Sequence, residues 1–237
     1  MTDFAADDPA RLQSALADIA LLAVSGRDVG QLMEETVALV HDQLAVDFAT
    51  VVEFEDQGEQ HFLRVRAGAG WEGRPAGTRL EVLPNSPFEW TFEHGYLHMP
   101  DRTTETRFDA EHPTLIGAGI HASMSHVMPG AVAGQPYGII GVHSRPRREF
   151  TPLEQEFLRG VAAVLAAAIT RQRQALEVND TVLQGLAVAR YALERGDTQL
   201  AGESVADALD RARTLVSSLL GGASADGAAL PGDLRRR

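Results

Sequence analysis

The sequence predicts an α+β fold: a central antiparallel sheet flanked by helices, then a long exit helix and a C-terminal helical hairpin. Three observations carry this. Two amphipathic helical patterns open the chain. The middle then changes to the two-residue period of strands, broken by short turn segments. From Thr151 a helical pattern begins that meets no stop until "RGDT" at Arg195–Thr198.

The opening "DPARLQSALADIALLAVSG" sets Leu12, Leu16, Ile19 and Leu22 at helical spacing. Asp8 is its N-cap, Pro9 sits in the first turn, and Gly26 is its stop. "DVGQLMEETVALVHDQLA" is a second helix, with Leu32, Val37, Val40 and Leu44 on one side. "FATVVEFE" and "HFLRVRAG" alternate, are rich in β-branched and aromatic residues, and flank "DQGEQ", which reads as a hairpin. "TRLEVL" is a further strand, "SPFEWTFEHG" a short helix capped by Ser86, and "YLHMPD" a brief strand. "RTTETRFDAEHPT" reads as a polar loop, and "ASMSHVM" and "YGIIGVHS" as two strands joined by a Gly/Pro-rich turn.

The helix from Thr151 runs about 45 residues, or roughly 65 Å at helical rise. That is too long to be buried inside one small domain. A second helix, about Gln199 to Leu220, carries Val205, Leu209, Ala212, Val216 and Leu219 on one face. The chain therefore divides into a flexible start (1–8), a sheet domain (9–173), a helical hairpin (174–220) and a disordered, Gly/Ala-rich tail (221–237).

Composition excludes several chemistries. Among 237 residues there is no cysteine, which removes disulfides, thiolate metal sites and sulfur-tethered cofactors. All 21 basic residues are arginine, so lysine chemistry, including a P-loop, is excluded as well. A net charge of −12 argues against a nucleic-acid surface, which needs clustered cations. The longest apolar run, "GVAAVLAAAIT", is too short to span a bilayer. "MTDFAADDPA" has no basic n-region, so the expectation is a chain without a signal peptide, cytoplasmic by default.

Over roughly Leu12 to Arg173 the chain resembles the GAF domain. The resemblance rests on the element order and on "GYLHMPDRTTETRF", "GIIGVHSRPRREFTPLEQEFLRGVAAVLAAAI" and the strand ending "VMPG". It implies a small-molecule sensing and dimerisation module, helices covering one face of the sheet and a ligand pocket often lying on the other. The stretch matching the pocket region supplies Trp90, His94, His98, His112, His121, Met124, His126 and Tyr137 as candidate lining, with Phe92 and Tyr96 as further aromatic caps. On the strand over 122–128, alternation separates Met124, His126 and Met128 from Ser123, Ser125 and Val127, and leaves open which set looks into the pocket.

The resemblance names no cofactor. Haem is one alternative, with His112 or His121 as its ligand, and the histidine spacings fit no zinc motif. "RFDAEH" shares only Phe108-Asp109 with the cyclic-nucleotide-binding signature. Bilin-binding and methionine-sulfoxide-reducing members depend on cysteines that this chain lacks.

Beyond Arg173 the chain resembles the dimerisation and phosphotransfer helices of sensor histidine kinases whose first helix carries a His-Asp-x-x-x-Gln box. Here the box reads Asn179-Asp180-Thr181-Val182-Leu183-Gln184. Asp180 and Gln184 match, but the phosphoacceptor is replaced by an amide that is no nucleophile. The expectation is that no ATP-binding domain follows and that this is a non-catalytic relative. Helical projection puts Ala175, Val178, Val182, Leu186, Ala189 and Leu193 in one stripe, widened by Leu176 and Leu183. Asn179 falls inside the widened arc, with Asp180 and Gln184 together on the opposite face.

The expectation is a homodimer that buries both hairpins in a four-helix bundle. Its partners would be an unknown small molecule and a response regulator or histidine kinase, with no nucleic acid or membrane. The alternatives are a response-regulator-binding protein or phosphatase using Asp180 and Gln184, a haem-binding sensor, and a structural scaffold with no ligand.

Overall fold

The computed structural model describes residues 8–58, 60–71, 76–109, 113–130 and 135–221, with side chains described through 217. Apart from Asp8 and Gly221, the expected flexible start and disordered tail lie outside the described residues, as does His112. The chain divides into two compact units at Ile169/Thr170.

In the first unit, α1 (Pro9–Val24) begins where its Asp8 cap predicts, and α2 (Val29–Leu44) follows Asp28. Asp8 Oδ1 accepts from the Ala10 amide at 3.0 Å, and Asp28 Oδ1 from that of Gly30 at 2.7 Å. These bonds satisfy donors that the first helical turn leaves orphaned. The strands are β1 (Phe48–Gln57), β2 (Gln60–Ala69), β3 (Arg79–Glu81), β4 (Tyr96–Met99), β5 (Ala122–Pro129) and β6 (Pro136–Ser144). They form one antiparallel sheet in the order β3-β2-β1-β6-β5-β4.

Between β1 and β2 the register shifts at Val51/Val52, so that Val51 pairs Ala67 while Val52 pairs Val65. This irregularity sends Ala67 to one face of the sheet and Val65 to the other, although strict alternation would place both alike. The expected polar loop after β4 holds a 3-10 turn (Arg102–Thr104) and a short helix, α4 (Pro113–Gly117). Pro113 opens that helix, and Thr114 and Leu115 supply its buried side chains.

The main core lies on one face of the sheet. There α1, α2 and the start of α5 (Pro152–Glu194) pack Ile19, Met33, Val40, Leu158 and Leu165 onto Val51, Met124, Ile140 and Val142. A capping box starts α5: the Thr151 amide donates to Glu154 Oε2 at 2.8 Å, and the Glu154 amide to Thr151 Oγ1 at 3.3 Å. Thr151→Ala is expected to cost about 1 kcal/mol, read as a lowered urea midpoint at unchanged slope. An unchanged midpoint would show that the cap contributes nothing.

The second unit holds the rest of α5 and α6 (Thr198–Gly221), reversed at Gly196, whose φ is +77°. Asp197 Oδ1 accepts from the Leu200 amide at 2.9 Å and caps α6. Among the described residues no helix is long and apolar enough to cross a membrane.

Candidate functional site

Alternation along β5 and β6 builds a cavity on the sheet face away from α1 and α2. Met124, Ile140 and Val142 go to the helical core, so Ser123, Ser125, Ile139, Gly141 and His143 point the other way. Together with Thr50 and Val52 of β1 they floor a space of about 700 Å³, counting the open region at its mouth. Over the space stand Phe88 and Thr91 of α3 (Pro87–His94), Thr114 and Leu115 of α4, and Trp71. Its lining, mainly apolar with a few polar groups, has the make-up of a small-molecule site.

The polar groups of the floor pair mostly with one another. Thr91 Oγ1 lies 3.0 Å from Ser125 Oγ and also donates to the Pro87 carbonyl at 2.7 Å. Trp71 Nε1 donates to Thr50 Oγ1 at 2.6 Å. His143 Nδ1 sits 2.8 Å from Ser123 Oγ, and the ring edge meets Trp71 at a centroid distance of 5.9 Å. His143 is 7% exposed, and burial pushes its imidazole pKa down to about 4, so it is neutral near pH 7. Among the described residues no charged side chain lines the cavity.

Two glycines keep the floor low. A Cβ at Gly68 would stand 3.1 Å from the Trp71 ring, and one at Gly141 would stand 3.3 Å from His143 Nε2. A smaller space of about 310 Å³ shares Pro87 and Leu115 with the first, and Arg102 and Glu105 are among its walls.

None of the described candidate pocket residues lines the main cavity. Met124 and Tyr137 are buried in the helical core instead. His126, half-buried on that same face, has a pKa lowered first by burial and then by Arg159. His98 accepts the Phe150 amide at 3.3 Å through Nε2. His121 Nδ1 faces Asp101 at 3.8 Å and makes no hydrogen bond. Trp90 stacks on His94 at 3.7 Å, Phe92 packs on Phe54, and Tyr96 is exposed. Bulky aromatic and imidazole side chains fill space, whereas open space in a sheet comes from small ones. The signal available in the sequence was the run Ser123-x-Ser125 with Gly141-x-His143, which are small or polar residues on one face of neighbouring strands.

In the second unit, α5 and α6 meet through small residues. Ala189 and Ala192 cluster with Ala201, and a Cβ at Gly185 would collide with that of Ala208 at 2.2 Å. The single apolar stripe expected from projection is therefore split. Ala189 turns inward, while Leu176, Leu183, Leu186 and Leu193 remain between 52% and 57% exposed. Asn179 falls in that outward row: the spacing Leu176-Asn179-Leu183-Leu186-Arg190-Leu193 alternates three and four, a heptad seam. On α6, Val205, Leu209 and Val216 are exposed too.

At about 100° per residue, both outward rows lie roughly a quarter to a third of a turn from the inner contact, in the same rotational sense. Because the helices are antiparallel, the two rows share one side of the hairpin. Asp180 and Gln184 are also exposed, on a different arc of α5 from Asn179.

A family profile described as GAF domain matches residues 28–169. No curated protein matches. Similar solved structures include the GAF domain of a phosphoenolpyruvate-protein phosphotransferase from Coxiella burnetii, at 18% identity and TM-score 0.60, covering 70% of this chain and 96% of that one. A free methionine-R-sulfoxide reductase from Neisseria meningitidis, in complex with its substrate, aligns at 15% identity and TM-score 0.58, over 74% of this chain and 98% of that one. The phycocyanobilin-bound GAF domain of a cyanobacterial phytochrome aligns at 18% identity and TM-score 0.53, over 68% and 94%.

Proposed function

Since the chain belongs to the GAF domain family, we propose that it is a non-catalytic regulatory protein that senses a small molecule and acts as a homodimer through its C-terminal hairpin. The observation that carries this reading is the outward face of the hairpin. A helix pair closed by alanine and glycine buries little apolar surface of its own and leaves four leucines and three α6 side chains in water. A second copy offers the same face, and joining the two yields a four-helix bundle with those residues as its core. Asn179, as the lone amide in a leucine seam, sets the register of that pairing at some cost in stability.

The open cavity favours sensing over a scaffold whose interior is filled by side chains. The hairpin's likeness to kinase dimerisation helices extends to shape and not to phosphotransfer. Position 179 holds no nucleophile, and the exposed Asp180 and Gln184 are a surface on which a receiver domain or a kinase could dock. Absorbance spectra and denaturing mass spectrometry of the purified protein test the sensor, and sedimentation tests the dimer. The expected results are a co-purifying molecule and twice the chain mass of 25.5 kDa. An empty extract, together with no thermal shift across metabolites, nucleotides and haem, would end the sensor reading. A monomer would end the dimer.

A further inference from the structure

The chemistry of the cavity narrows what the sensor takes, and this inference rests on the sensor reading above. We propose that the cavity binds a neutral, compact, mainly apolar molecule bearing one hydroxyl or equivalent group, which hydrogen-bonds His143 Nε2.

Four observations converge on this. The walls are aliphatic and aromatic, among them Val52, Val65, Phe88 and Ile139, and no charged side chain among the described residues faces the space. An ionised ligand would lose its hydration there with nothing to replace it. The hydroxyls of Thr50, Thr91 and Ser125 are already engaged with Trp71 or with each other. His143 differs: Nδ1 is taken by Ser123, while Nε2 makes no hydrogen bond among the described residues.

Gly141 keeps the approach to that nitrogen clear, since even a methyl there would stand 3.3 Å from it. That nitrogen, at the floor of an apolar space, has hydrogen-bonding capacity to offer a ligand. Which role it plays depends on the tautomer. If Ser123 donates to Nδ1, Nε2–H donates to the ligand; if Nδ1–H donates to Ser123, Nε2 accepts. A hydroxyl serves either case because it both donates and accepts.

Titration calorimetry of the full-length protein with phenol, toluene and benzoate tests the assignment. Phenol is expected to bind about tenfold more tightly than toluene, and benzoate at least about a hundredfold more weakly than phenol. His143→Leu should bring phenol and toluene to equal affinity. His143→Asn, which retains a partner for Ser123, checks that the loss is not misfolding. Val52→Phe, which fills the space, should abolish binding of all three.

Benzoate binding as tightly as phenol overturns the proposal, as does a phenol preference that survives in both His143 variants. If the aromatic probes fail while a charged co-purifying molecule is released by Val52→Phe, this inference falls and the sensor reading stands. If nothing binds and nothing co-purifies, both fall.

Discussion

A Leu183→Asp, Leu186→Asp double variant is expected to sediment as a monomer of 25.5 kDa at concentrations where the parent protein is a dimer. Both side chains are more than half exposed in the isolated chain, and both lie in the heptad row. Burying a leucine is worth about 1.5–3 kcal/mol, and the proposed two-fold would place four of them in the interface. Aspartate forfeits that gain and sets like charges across the axis. The dissociation constant should rise by roughly a thousandfold or more, each tenfold being about 1.4 kcal/mol. Because the substitutions touch neither Ala189, Ala192 nor the sheet core, the far-ultraviolet circular dichroism of the first unit should persist. Asp180→Ala with Gln184→Ala, on another arc of the helix, should leave the mass unchanged. A double-aspartate variant that still sediments at twice the chain mass would show that the pairing surface lies elsewhere.

Lowering the pH from 7 to 5 is expected to weaken the parent protein far more than a His143→Asn variant. Burial pushes the His143 pKa from an ordinary 6.5 down to about 4. Between those values the unfolded chain takes up a proton that the folded chain refuses, so stability falls as pH falls. The contribution is intact above pH 6.5 and is lost progressively toward pH 4. Over that whole interval it amounts to about 3 kcal/mol, at roughly 1.4 kcal/mol per unit. His126, whose pKa is also lowered chiefly by burial, contributes in the same direction, so the difference between parent and variant isolates His143. Urea midpoints measured at half-unit pH steps give the two slopes. Equal slopes would mean that His143 is charged in the folded state or open to water.

The elements were legible in the sequence because each rests on local chemistry. Asp8, Ser86 and Thr151 stand at helix starts, and their side-chain oxygens accept the bonds their types suggest. The long helix from Pro152 to Glu194 needed only the absence of a breaker. The site was less legible because it depends on which face of a strand meets which layer. Alternation divides β5 into a methionine face and a serine face, but only the docking of α1, α2 and α5 decides that Met124 is core and Ser125 is floor. The shifted register at Val51/Val52 adds a reversal that no alternation rule contains. His143 carries no such signal in the sequence, because it stands near the end of a strand of glycine, isoleucine and valine with no neighbour to suggest a role.

If the hairpin pairs as proposed, its narrow inner contact makes its folding depend on protein concentration. A helix pair held by Ala189, Ala192, Ala201 and the bare Gly185 draws little from its own packing, so on the proposed pairing its folding would be tied to finding a mate. By mass action, dilution below the dissociation constant would unwind the C-terminal region while the sheet domain stays intact. Under the proposed function, expression level would then become an input alongside the ligand. A truncated copy that keeps only the hairpin would act as a dominant poison, capturing full-length chains into mixed pairs with one sensor instead of two.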